Sequence, residues 1–153
     1  MQPLDWALLP FSRYFDFSGR SSRAEYWYFT ALMWVVNLLI LLTQELLGEA
    51  VAGVLAIVNV IFGLGTLIPS IAVTVRRLHD INRSGFLALG YGIGIGVLVT
   101  LIPVSMFMGS VVFGIVMIAV LALSIKFLIL MVSEGHRGPN PYGSNPYGLN
   151  YGY

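Results

Sequence analysis

Cysteine is absent from the 153 residues, which excludes disulfide frameworks, thiol catalysis and cysteine-ligated zinc or iron–sulfur centres. Charge is almost as scarce: 8 Lys+Arg and 7 Asp+Glu amount to 10% of the chain, with a formal net charge of +1. Soluble domains carry about 25% charged residues, and a nucleic-acid binder shows a basic excess over a whole face. Neither a soluble enzyme nor a nucleic-acid partner fits this balance. What fills the chain instead is apolar. Hydrophobic residues make up 58%, and a mean hydropathy of +0.85 belongs to a membrane protein.

The gaps between charges locate the spans. Residues 26–44, between Glu25 and Glu45, are uncharged; as a helix they cover about 28 Å, one bilayer core. Residues 50–75, between Glu49 and Arg76, form a longer uncharged stretch that implies tilt or a bend, with Pro69 as the natural bend. The third gap, 84–125, suits two spans joined near Pro103 to Ser110, because Pro103 ends a helix and Gly109-Ser110 starts the next. The fold class expected is an all-α membrane protein, a single domain over 1–134 with helices near 25–45, 50–75, 86–103 and 110–132. Runs such as Asn37 to Leu42 do not alternate as barrel strands do.

All 8 basic residues fall at one end of these spans, while the opposite connections hold Glu45 and Glu49. The positive-inside rule then puts both termini in the cytoplasm of a multi-pass inner-membrane protein. Residues 1–23 contain Asp5, Pro10, Arg13 and Asp16 and lack a signal-peptide core. Leu4, Leu8, Phe11 and Phe15 recur at helical spacing opposite Asp5, Ser12 and Asp16, the pattern of an interfacial amphipathic segment, which Pro10 is expected to divide.

Two polar motifs stand at the basic boundary. The first, Phe17-Ser-Gly-Arg20-Ser-Ser-Arg23-Ala-Glu25-Tyr-Trp27, joins a glycine turn, two arginines and a glutamate at a helix entrance, with Ser21 or Ser22 as the cap. The second, Arg76-Arg77-Leu-His79-Asp80-Ile-Asn-Arg83-Ser-Gly85, is expected as a compact cationic loop. With Pro69 between them and Gly138-x-Asn140-x-Tyr142-Gly143 after them, these motifs resemble the YhaH-like bacterial inner-membrane proteins, grouped as "domain of unknown function 805". Nearly the whole chain takes part. Phe86, where the family has tryptophan, and the repetitive tail after Gly143 depart from it. The resemblance implies a polytopic inner-membrane protein and supplies no activity, substrate or cofactor.

The residues themselves allow two main readings of the candidate site Arg20, Arg23, Glu25, Arg76, Arg77, His79, Asp80 and Arg83. In one, the arginines satisfy topology, snorkel and pair with Glu25 and Asp80. In the other, the surplus cations bind an anionic phospholipid headgroup, for which the guanidinium fork is suited; an acidic segment of a membrane-protein partner or a small metabolite is a further ligand class. No catalytic, cofactor or metal site is assigned. His79 and Asp80 are adjacent and do not face each other on a helix, and His79, Asp80, Glu25 and His136 offer no i, i+4 ligand pair.

Within the spans, Lys126 lies about 9 Å below the helix end, within snorkelling reach, or else pairs with Glu134 or Asp80 on an ion path. Asn37 and Asn59 are expected to hydrogen-bond between helices. Gly90, Gly92, Gly94 and Gly96 form overlapping small-xxx-small pairs that suit close packing or a homo-oligomer. Residues 135–153, repeating Asn-Pro-Tyr-Gly with a period of five, are expected to form a turn-rich, flexible cytoplasmic tail. The function expected is structural, regulatory or lipid-associated and non-enzymatic; a small transporter or oligomeric channel is the alternative.

Overall fold

A computed structural model describes residues 2–146. Five helices appear in order: α1 (Pro3–Ser12), α2 (Arg23–Leu47), α3 (Glu49–Asp80), α4 (Phe86–Phe107) and α5 (Ser110–Val132). The last four are long and apolar enough to cross a membrane, and no strand is present among the described residues. The chain is therefore all-helical with four spans, as its charge gaps indicate.

α2 begins where its cap dictates: the Ser22 hydroxyl accepts from the Glu25 amide at 3.1 Å, and Glu25 sits in the positively polarised first turn. α1 is one helix despite Pro10, which lies near its end and is fully buried. Leu4 and Leu8 remain exposed, while Phe11 packs edge-on against Phe29 with centroids 5.5 Å apart. Thus α1 lies with one face on α2 and leaves Leu4 and Leu8 open beside the polar Asp5 and Ser12, a mixed surface that suits the membrane interface.

Two helices outrun their expected ends. α3 continues past residue 75 to Asp80, so Arg76, Arg77, His79 and Asp80 stand on its last two turns rather than in a loop. α4 runs through Pro103 to Phe107, leaving Met108 and Gly109 as the connection. Gly109 adopts φ +105°, a conformation favouring glycine. Proline is tolerated inside membrane helices because neighbouring groups re-satisfy the backbone.

The shared core sits at the basic end. Tyr26 and Phe29 of α2, Val73 and Leu78 of α3 and Met131 of α5 form it. Along most of their length the spans present apolar side chains outward, including Trp34, Ile61, Phe107 and Ile118. In a bilayer those faces are solvated by acyl chains and carry no burial penalty.

Candidate functional site

The last turn of α3 must find partners for its unpaired carbonyls, and three separate segments supply them. Ser21 donates its amide to Arg76 O at 3.0 Å, Arg83 to Leu78 O at 2.9 Å, and His136 to Asp80 O at 2.8 Å. The Asn140 side-chain amide donates to His79 O at 2.8 Å. The N-terminal motif, the α3–α4 turn and the tail are thereby anchored to one helix end.

The side chains repeat the pattern. Arg20 meets Asp80 Oδ1 at 2.8 Å, and Arg77 pairs with Asp80 Oδ2, all three being buried. Arg76 meets Glu25 Oε1 at 2.7 Å, with both groups buried. Further guanidinium donors go to backbone carbonyls. Arg20 donates to Gly138 O at 2.8 Å and to His136 O. Arg76 donates to Asp16 O, and Arg77 to Met131 O at 3.1 Å and Ser133 O. The fork shape of arginine makes this possible, because one planar group serves a carboxylate and two carbonyls on different segments. Arg76 Nε alone among the described buried side-chain atoms has no hydrogen-bond partner.

Asp80 is approached so closely by Gly135 that any Cβ there would overlap the carboxylate. Beside it, His79 stacks on Tyr142, with centroids 3.9 Å apart and planes within 4°, and its Nδ1 lies 3.0 Å from Gly19 O. On the α1 side, Arg13 pairs with Asp16 at 2.7 Å and lies 3.8 Å from Glu25. The Asp16 carboxyl is held down at about 2, first by the Ser18 hydroxyl and then by Arg13, against the opposing effect of burial.

Of the eight residues singled out from the sequence, Arg20, Glu25, Arg76, Arg77 and Asp80 are brought together and buried. His79 lies at the edge, half-buried, and Arg23 and Arg83 are exposed. The cationic surplus expected to attract an anion is met by carbonyl oxygens. Both Asp80 oxygens are engaged by arginine. The described residues assemble no group of three metal-ligating side chains.

Sequence reasoning missed Arg13, Asp16 and Gly135 as members of this cluster. The i, i+3 spacing of Arg13 and Asp16 was a usable signal; Gly135 had none. It also placed Asn140 and Tyr142 in a flexible tail, whereas residues 136–143 are held by the contacts above; residues 147–153 lie outside the described part. Inside the spans, Asn37 bonds back to Met33 O of its own helix at 2.8 Å, not across helices, and Asn59 is exposed. Lys126 is exposed and pairs with neither Glu134, which faces Arg137 at 3.3 Å, nor Asp80. Within the chain, the α4 glycines other than Gly94 make no tight helix contact. A Cβ at Gly90, Gly92 or Gly96 would meet nothing within 4 Å, and only Gly94 is close to α5, through Leu123 at 3.1 Å.

The profile of a family described as "Protein of unknown function (DUF805)" matches residues 14–144. Inner membrane protein YhaI of Escherichia coli strain K12 is 32% identical over 148 residues, covering 96% of this chain and 100% of that protein. Inner membrane protein YhaH of the same strain is 37% identical over 86 residues, or 56% of this chain and 71% of the relative. No solved structure matches. The three motifs that carried the resemblance are the three pieces that interlock on the end of α3, and the chain belongs to the DUF805 family.

Proposed function

We propose that this chain is a non-enzymatic, lipid-associated protein of the inner membrane, with both termini in the cytoplasm and its basic end locked by a structural arginine clasp. In this reading anionic headgroups are met at the rim of the clasp by exposed Arg23 and Arg83, and not by the buried arginines. The observation that supports it is the division of labour among the cations: Arg20, Arg76 and Arg77 are buried on carboxylates and carbonyls, while Arg23 and Arg83 are exposed.

Each exposed cation near an anionic surface contributes about 1 kcal/mol. The double variant Arg23→Gln with Arg83→Gln should therefore lower the preference for phosphatidylglycerol over phosphatidylethanolamine about thirtyfold, measured as lipid retained on the detergent-extracted chain by native mass spectrometry. Unchanged preference would remove the rim reading. Orientation is tested separately by single cysteines on this cysteine-free background. Glu49→Cys should react with a membrane-impermeant reagent on intact spheroplast-accessible surface, and Ser144→Cys should not; the reverse pattern inverts the topology.

A further inference from the structure

The α3–α4 pair is closed at one end and open below. At the closed end, Gly85 lies so close to α3 that a Cβ would sit 2.6 Å from Val75 Cγ1. Below this pinch, α4 presents Ala88, Gly92, Ile95 and Val99 to a cavity of about 620 Å³, a stripe at i, i+4, i+7, i+11 that marks one helix face. Leu67, Ser70, Ile71 and Thr74 of α3 form the opposite wall, the two hydroxyls turned back onto Thr66 O and Ser70 O of their own helix, and Phe127 of α5, 5.4 Å from the Tyr91 ring, lines the back. Gly92 and Gly96 line it with open space where side chains would stand.

Ile71 and Leu89 also line a neighbouring cavity of about 480 Å³, which the pinch residues Val75 and Gly85 border and whose polar groups are His79, Ser84 and Tyr142. Arg83 is exposed on the adjoining turn. An apolar slot below a polar, cationic end matches an amphiphile, headgroup at that end and chain inside. Its depth agrees: Leu89 to Val99 is ten residues of helix, about 15 Å, which is half of a roughly 30 Å hydrocarbon core and so one leaflet.

We infer that the α3–α4 slot is a binding site for one acyl chain of a membrane phospholipid, entered from the leaflet at the basic end. The inference deepens the lipid-associated reading above and rests on it, but it concerns the chain, where that reading concerns the headgroup. Variants of the walls therefore report on the chain, and the Arg23 and Arg83 variant reports on the headgroup.

The test uses the full chain, delipidated in mild detergent and titrated with palmitoyl-oleoyl phosphatidylglycerol or its phosphatidylethanolamine counterpart, with adducts counted by native mass spectrometry. Gly92→Leu with Gly96→Leu fills the slot where no atom stands in the way. It should reduce retention of both lipids at least tenfold while helicity and melting temperature hold. Leu67→Trp, from the α3 wall and half-exposed, should act the same way and serves should the glycine variant fold poorly. Equal retention by wild type and both variants would overturn the slot. So would a wild-type dimer that the glycine variant turns monomeric, since a second copy would then fill the groove. Loss of headgroup preference in the Arg23 and Arg83 variant, with slot variants inert, would spare the rim reading alone; the converse would spare the slot alone.

Discussion

At the scale of residues, the decisive object is Asp80. It serves two buried arginines at once, while Glu25 serves buried Arg76 and the partly exposed Arg13. Removing one partner of a buried ion pair costs about 3–5 kcal/mol, because the other charge is left without compensation. Asp80→Asn strands two guanidiniums, whereas in Glu25→Gln one of the two affected cations still reaches water. Thermal melting in detergent should therefore drop further for Asp80→Asn than for Glu25→Gln, and equal losses would mean that the two carboxylates are equivalent. Gly135 belongs to the same account: Gly135→Ala should act like loss of Asp80, since the new methyl overlaps the carboxylate.

At the scale of elements, Pro69 explains a contact that otherwise looks incidental. Proline at position i removes the donor for the carbonyl at i−4, here Gly65, and Tyr14 donates its hydroxyl to that oxygen at 2.7 Å. Ser70 bonds back to Thr66 O at 2.6 Å within the same turn. The segment after α1 thus supplies the bond that α3 lacks. Tyr14→Phe should cost about 1 kcal/mol, the worth of one such bond in a membrane protein; no change in denaturant resistance would show that lipid or water satisfies Gly65 instead. Much of this level was legible beforehand. The uncharged gaps gave four spans, because a charge in the hydrocarbon core is costly, and Ser22 with Glu25 gave the start of α2. The ends of α3 and α4 were not. Arg76, Arg77 and Asp80 read as loop residues because charge marks a membrane boundary when partners are unknown, and their partners come from residues 16–25 and 131–138, far away in sequence. Pro103 read as a terminus because the rule for water-exposed helices was applied to one in lipid, where prolines are common within spans.

At the scale of the whole molecule, the chain holds itself together mainly at one end. The buried core and the arginine clasp share the same level of the bundle, while the far ends of the spans are apolar and outward-facing. The meeting of the two arginine motifs was expected from their shared depth along the membrane normal, but the docking of the tail onto them was not, since depth says nothing of lateral contact. The tail was the weakest part of that reading. Its glycine and proline content implied flexibility, yet irregular backbone is well suited to presenting carbonyls: Gly138 O and His136 O face Arg20, and Tyr142 covers His79. A chain ending at Arg137 loses Gly138, Asn140 and Tyr142 from the clasp but keeps the amide of His136 on Asp80 O. It should insert, because the four spans are intact, but melt lower than the full chain by several degrees. A chain ending at Pro146 keeps every one of these contacts and should melt above the chain ending at Arg137. If the truncation at Arg137 matched the full chain, the docked tail would contribute nothing to stability, and the clasp would reduce to Arg20, Arg76 and Arg77 on their two carboxylates.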